Sequence, residues 1–118
     1  MGAVFHARHT TTGAEVAIKV MLAEGDEAAS AVKRFQRERE ALAKVDGHAG
    51  IVRIRSSGSY GVRKLPYAVL DFVRGGDLSK RTREGPLPAE ESARLVEKIA
   101  RALHHCHEQS ILHRDLKP

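Results

Sequence analysis

The sequence predicts an α+β domain with a largely antiparallel sheet. The first reason is the order of its patterns, which run strand, strand, helix, strand, strand, helix. The second is size and composition: 118 residues, 42% hydrophobic and 30% charged, suit one small domain or a piece of a larger one with a modest core. The third is an absence. No internal repeat or low-complexity tract is visible, and ten glycines with four prolines are too few for a collagen-like, linker-dominated or disordered chain.

Gly2 to His9 alternates loosely around Val4, Phe5 and Ala7, and Thr10-Thr11-Thr12-Gly13 supplies turn chemistry before the apolar run Val16-Ala17-Ile18-Lys19-Val20-Met21. These segments predict a hairpin. From Asp26 to Val45, Ala, Glu, Arg and Lys predominate, and Val32, Phe35, Leu42 and Val45 fall on one stripe at 3.6 residues per turn, which predicts a helix. After the loop 46–50, Ile51 to Arg55 alternates, with Val52 and Ile54 on one face and Arg53 and Arg55 on a solvated one. Pro66 to Val73 is the next predicted strand, closed by Arg74-Gly75-Gly76-Asp77. From Pro88 to Glu108 the pattern is helical again. Glu90 and Glu91 lie near the positive end of the helix dipole, and Leu95, Ile99, Leu103 and Cys106 share a stripe.

The single cysteine, Cys106, excludes an internal disulfide framework and a multi-cysteine zinc module. The net charge of +5 raises nucleic acid as a partner, but the excess concentrates at Arg53, Arg55, Arg63 and Lys64 without interleaved aromatics, so no nucleic-acid partner is expected. No apolar run reaches the roughly 20 residues of a membrane span, and the N-terminus lacks a secretory layout. A cytoplasmic location without a membrane segment is the expectation. His104, His105 and His107 surround Cys106, yet on a helix His105 points away from the other two; packing roles are expected there and no metal site.

Lys19 is out of place chemically, since it shares a face with Ala17 and Met21 inside the most apolar strand. If that face is covered, its ammonium needs a partner. Glu38 follows Phe35 by three residues and precedes Leu42 by four, so it sits on the helix stripe, whereas Glu40 faces away and Arg39 lies near the edge. Such a pair is compatible with a purely structural ion pair or with a fixed positive point for phosphate oxygens.

The C-terminal string His113-Arg114-Asp115-Leu116-Lys117-Pro118 resembles the catalytic loop of eukaryotic-type serine/threonine protein kinases. Val16-Ala17-Ile18-Lys19 resembles the strand lysine motif of that family, Gly2-Ala3-Val4 the tail of its Gly-rich loop, and Arg34-Phe35-Gln36-Arg37-Glu38 the stretch that carries its helix-C glutamate. The six-residue string is the specific signal, the three-residue match carries little alone, and all four occur in the family's order.

The resemblance implies a protein-kinase-like N-terminal lobe, an antiparallel sheet plus helix C, with the first helices of the C-terminal lobe. It divides the chain into a partial N-lobe over 1–73 and the hinge exit and start of the C-lobe over 74–118. It also implies ATP and Mg2+ as cofactors and a protein substrate with a serine or threonine acceptor. Lys19 would contact the α- and β-phosphates with Glu38 holding it, and Asp115 would orient the acceptor hydroxyl while Lys117 neutralises the transferred group. Gly2, Val4 and Ala17 would line the nucleotide site. Leu70 would be the gatekeeper, the backbones of Asp71 and Val73 would meet adenine, and Asp77 would face ribose or substrate unless it caps a helix.

The same resemblance leads us to expect a domain incomplete at both ends. The sequence opens inside the Gly-rich loop, and it lacks the catalytic-loop asparagine and the Asp-Phe-Gly segment that hold magnesium in the family. Poor phosphoryl transfer by these residues alone follows. A non-catalytic binding module or a small basic nucleic-acid binder are the other readings.

Overall fold

The computed structural model describes residues 2–22, 25 and 28–118. The chain divides into two compact units, Met1–Asp46 with Val52–Phe72, and Gly47–Ile51 with Val73–Pro118.

In the first unit, β1 (Gly2–Arg8), β2 (Glu15–Met21), β3 (Ile54–Tyr60) and β4 (Leu65–Asp71) form one four-stranded sheet in the order β1-β2-β4-β3. All three pairings are antiparallel, as the α+β reading predicted. The β1–β2 hairpin closes through chemistry local to its turn. His9 exchanges backbone hydrogen bonds with Ala14 and Gly13, and its Nδ1 accepts from the N–H groups of Thr11 and Thr12, each at 3.2 Å. Gly13 sits at φ +70°, where a side chain would be strained.

Helix α1 (Ala28–Lys44) packs on this sheet, in contact with β2, β3 and β4. Its buried contributions are Ala31 and Phe35, which join Met21 and Ala68 in the core, with Val32, Ile54 and Leu65 packed against them. Val45, just past the helix, is also buried. Leu42, predicted on the stripe, is only half-buried, and the small Ala31 is buried instead. The predicted start at Asp26 lies outside the described residues.

The strand predicted at Ile51–Arg55 differs from the one observed. β3 begins at Ile54 and runs on through Ser56, Ser57 and Ser59 to Tyr60. As the edge strand it pairs only with β4, so backbone hydrogen bonds sustain it and its polar residues face water; no apolar alternation marks it in the sequence. Gly58 lies opposite Tyr67, whose ring carbons approach the position a Cβ would occupy to within 2.9 Å. β4 ends at Asp71, two residues short of the prediction.

In the second unit, α3 (Ala89–Glu108) follows the predicted span closely, with Glu90 and Glu91 in its first turn. It ends in a Schellman arrangement: Ile111 N–H donates to Cys106 O at 2.9 Å and Ser110 N–H to His107 O at 2.9 Å, with Ser110 at φ +57°. The short helix α2 (Leu78–Arg83) follows Asp77, where the sequence leaves a capped helix open, although one leucine among polar residues gives no apolar stripe to mark its span. The segment 47–51 belongs to this unit, where the His48 and His105 rings lie 5.2 Å apart. No helix among the described residues is long and apolar enough to cross a membrane.

Candidate functional site

Directly opposed residues of an antiparallel pair share a face, so the register assigns the site residues to faces. Val4 lies opposite Lys19, and His6 opposite Ala17. Leu70 lies opposite Ala17, and Ala68 opposite Lys19. Val4, Ala17, Lys19 and Leu70, collected from three strands, therefore share one face of the sheet, and the buried Met21 and Ala68 place α1 on the same face. Gly2 pairs with Met21 at the end of β1, where a Cβ would meet Val20 O at 2.9 Å. A larger residue there would displace backbone.

This arrangement brings Lys19 and Glu38 together. Lys19 Nζ donates to Glu38 Oε1, and Nζ stands 5.8 Å from the centroid of the Phe35 ring. Phe35 and Glu38 lie three residues apart on α1, so the residue that anchors the helix in the core also aims the carboxylate at the lysine. The pair borders a cavity of about 280 Å³ lined by Gly2, Lys19, Met21, Ala31, Arg34, Phe35 and Glu38.

Burial decides what the pair does. The side chains remain 31% and 53% exposed, so the pair is not the buried one that a covered face would require. An ion pair this accessible contributes about 0 to 1 kcal/mol to folding. Its geometric effect is larger than its energetic one, because it holds an ammonium in place at the rim of the cavity.

Asp71 ends β4, with its side chain accepting from Arg55 Nε, and its N–H donating to Arg53 O at 3.0 Å. Neither arginine was assigned a site role from the sequence, which marks Arg53 and Arg55 only as solvated. The ion pair lies at a register shift between Ile54 and Ser56 that no sequence signal announces. His6 stacks on Phe72 with centroids 3.9 Å apart, another contact the sequence did not reveal.

In the second unit, Val73 is 70% exposed. Asp77 caps α2, its carboxylate accepting from Lys80 N–H at 2.8 Å, so the capping alternative describes its contact here. In the terminal loop Lys117 Nζ donates to Asp115 Oδ2 at 3.0 Å, and Asp115 N–H donates to His113 Nδ1 at 3.3 Å. Arg114, between them, holds φ +61°, a conformation costly for a residue with a Cβ and frequent at functional loops. Among the described residues no three His, Cys, Asp or Glu side chains converge as a metal ion would require.

Comparison with known proteins identifies the family. A family profile described as "Protein kinase domain" matches residues 1–118. The chain is 40% identical over 129 aligned positions to serine/threonine-protein kinase PkaA of Streptomyces coelicolor, covering 99% of this chain and 23% of that protein. It is 38% identical over 116 positions to CBL-interacting serine/threonine-protein kinase 24 of Arabidopsis thaliana, covering 95% and 25%. With serine/threonine-protein kinase pkn2 of Myxococcus xanthus it shares 35% over 118 positions, covering 100% and 14%. The chain thus spans a quarter or less of the length of each of these relatives. With a profile matched from end to end and a four-stranded antiparallel sheet carrying its helix, the chain belongs to the protein kinase domain family.

Proposed function

We propose that this domain serves ATP-dependent phosphoryl transfer to serine or threonine hydroxyls of a protein substrate. The observation that carries the reading is the Lys19–Glu38 pair on the sheet face shared by Val4, Ala17 and Leu70. It is supported by relatives named as serine/threonine-protein kinases.

ATP is the phosphoryl donor in this reading. Lys19 binds its α- and β-phosphate oxygens, and Glu38 limits where the ammonium can go. Val4 and Ala17 line the adenine side with Leu70 as gatekeeper, Gly2 leaves room for close backbone approach, and the backbones of Asp71 and Val73 offer hydrogen bonds to the base. Asp115 accepts the proton of the acceptor hydroxyl as its oxygen bonds to the γ-phosphorus and the bond to the β-phosphate oxygen breaks. Lys117 balances negative charge on the transferred group. Asp77 contributes through α2, whose first turn it caps. The lobe division proposed with this reading is 1–73 and 74–118.

The cavity at Lys19 and Glu38 fits phosphate oxygens. A magnesium ion has no matching set: no convergent ligand cluster occurs among the described residues, and the 118 residues contain no asparagine. Because phosphoryl transfer depends on charge neutralisation, these residues alone are expected to bind nucleotide and to transfer no measurable phosphate.

Two measurements test the reading. Calorimetric titration with ATP should show binding that Lys19→Met weakens at least about tenfold, the effect of a lost phosphate contact; absence of binding by the unsubstituted chain overturns the assignment. Incubation with labelled ATP, magnesium and a basic acceptor protein should leave the acceptor unlabelled. Incorporation abolished by Asp115→Asn would overturn the expected inactivity.

A further inference from the structure

We propose that Arg55 is a positioning residue for base recognition, acting through Asp71. The inference rests on the nucleotide reading above and deepens it.

Arg55 occupies the irregularity in the β3–β4 pairing. Ile54 is opposite Leu70 and Ser56 is opposite Val69, so Arg55 is the extra residue of a bulge. A bulge re-aims the side chain it carries and bends its strand. Here the re-aimed guanidinium reaches the end of the neighbouring strand, where its Nε donates to Asp71 Oδ1. The same residue is held a second time, because Asp71 N–H donates to the carbonyl of Arg53. Arg53, just before β3, and Arg55 within it thus grip the backbone and the side chain of the last residue of β4.

The location is what makes this grip consequential. Leu70 lies opposite Ala17 on the Lys19 face, and alternation puts the Asp71 side chain on the other face, where its partner in the register is Val16. The carboxylate is therefore directed away from the nucleotide face, and with its N–H given to Arg53 the carbonyl is the backbone group of Asp71 left for the base. A carbonyl that accepts from an exocyclic amine of a base discriminates well only if its orientation is fixed, because a misaligned acceptor loses most of the hydrogen bond. β4 ends at Asp71, so strand pairing gives no hold beyond that residue.

Magnitude favours a role in orientation over one in stability. The Arg55 and Asp71 side chains are 44% and 36% exposed, and pairs this accessible contribute little to folding. Removing the guanidinium should leave the domain folded and loosen the strand end.

The experiment uses the full chain and three probes: ATP, GTP and inorganic tripolyphosphate, each titrated at one ionic strength. Arg55→Ala is expected to weaken ATP about three- to fivefold, the range of a lost exposed ion pair, and to lower the ATP-over-GTP preference by the same factor. Tripolyphosphate affinity should be unchanged. Arg55→Lys should restore part of the preference, and in an Asp71→Asn background Arg55→Ala should add nothing further. An unchanged ATP-over-GTP ratio, or equal weakening of ATP and tripolyphosphate, overturns the proposal and leaves the kinase reading standing. An unsubstituted chain that binds none of the three probes overturns that reading, and this inference with it.

Discussion

At Lys19 the chain accepts a charged residue in its most apolar strand, and the structure shows why this is tolerated. The ammonium is partly solvated, faces the ring of Phe35 and is paired with Glu38, so no charge is stranded in the core. Lys19→Met should therefore change the melting temperature by no more than the equivalent of about 1 kcal/mol, as expected for an exposed pair. A large drop in a thermal melt would mean that the pair is a stability element instead. Ser110 offers the opposite case. It holds the left-handed position of the α3 cap, which glycine adopts without a steric penalty. Ser110→Gly should stabilise the chain by about 0.5–1 kcal/mol, measured by urea denaturation, if the strain relieved exceeds the entropy glycine adds to the unfolded chain. Destabilisation would show that the serine makes a compensating contact.

At the scale of elements, α1 and the edge strand β3 are held by different means. α1 is amphipathic and anchored by Phe35, which is 5% exposed. Truncation to alanine in such a place costs about 3–5 kcal/mol, so Phe35→Ala should unfold the first unit at room temperature or leave it with a much lower denaturation midpoint, followed by circular dichroism. A midpoint within error of the parent would contradict the core assignment. β3 has little apolar content and relies on its ladder with β4, and its close approach occurs at Gly58 under the Tyr67 ring. Gly58→Val should cost about 1–3 kcal/mol through overpacking, despite valine's preference for strands. A stabilised variant would show that the ring moves aside freely.

For the molecule as a whole, the limiting feature is how little is deeply buried. No described side chain falls below 2% exposure, and α3 contributes no buried residue. Leu95, Ile99, Leu103 and Cys106 reach only half-burial, and Val96, Leu112 and Leu116 are 63%, 60% and 59% exposed. Apolar surface of this kind drives association. The 118 residues alone should bind a hydrophobic dye at neutral pH and sediment as more than a monomer at micromolar concentration, with Val96→Lys reducing both. A clean monomer that binds no dye would contradict this.

The family of the domain and the meeting of Lys19 with Glu38 were legible in residue order, because chemistry and local periodicity are written into neighbouring positions. His113 to Pro118, the alternation around Lys19 and the three- and four-residue spacings about Glu38 each need only a few adjacent residues to be read. Gly58 beneath Tyr67, the bulge at Arg55, its grip on Asp71 and the stacking of His6 on Phe72 were not legible. Each joins residues far apart in the chain through strand register, and a shift of one residue reverses every face. That register is settled when the strands pair and α1 covers them, a cooperative choice no short window of sequence contains.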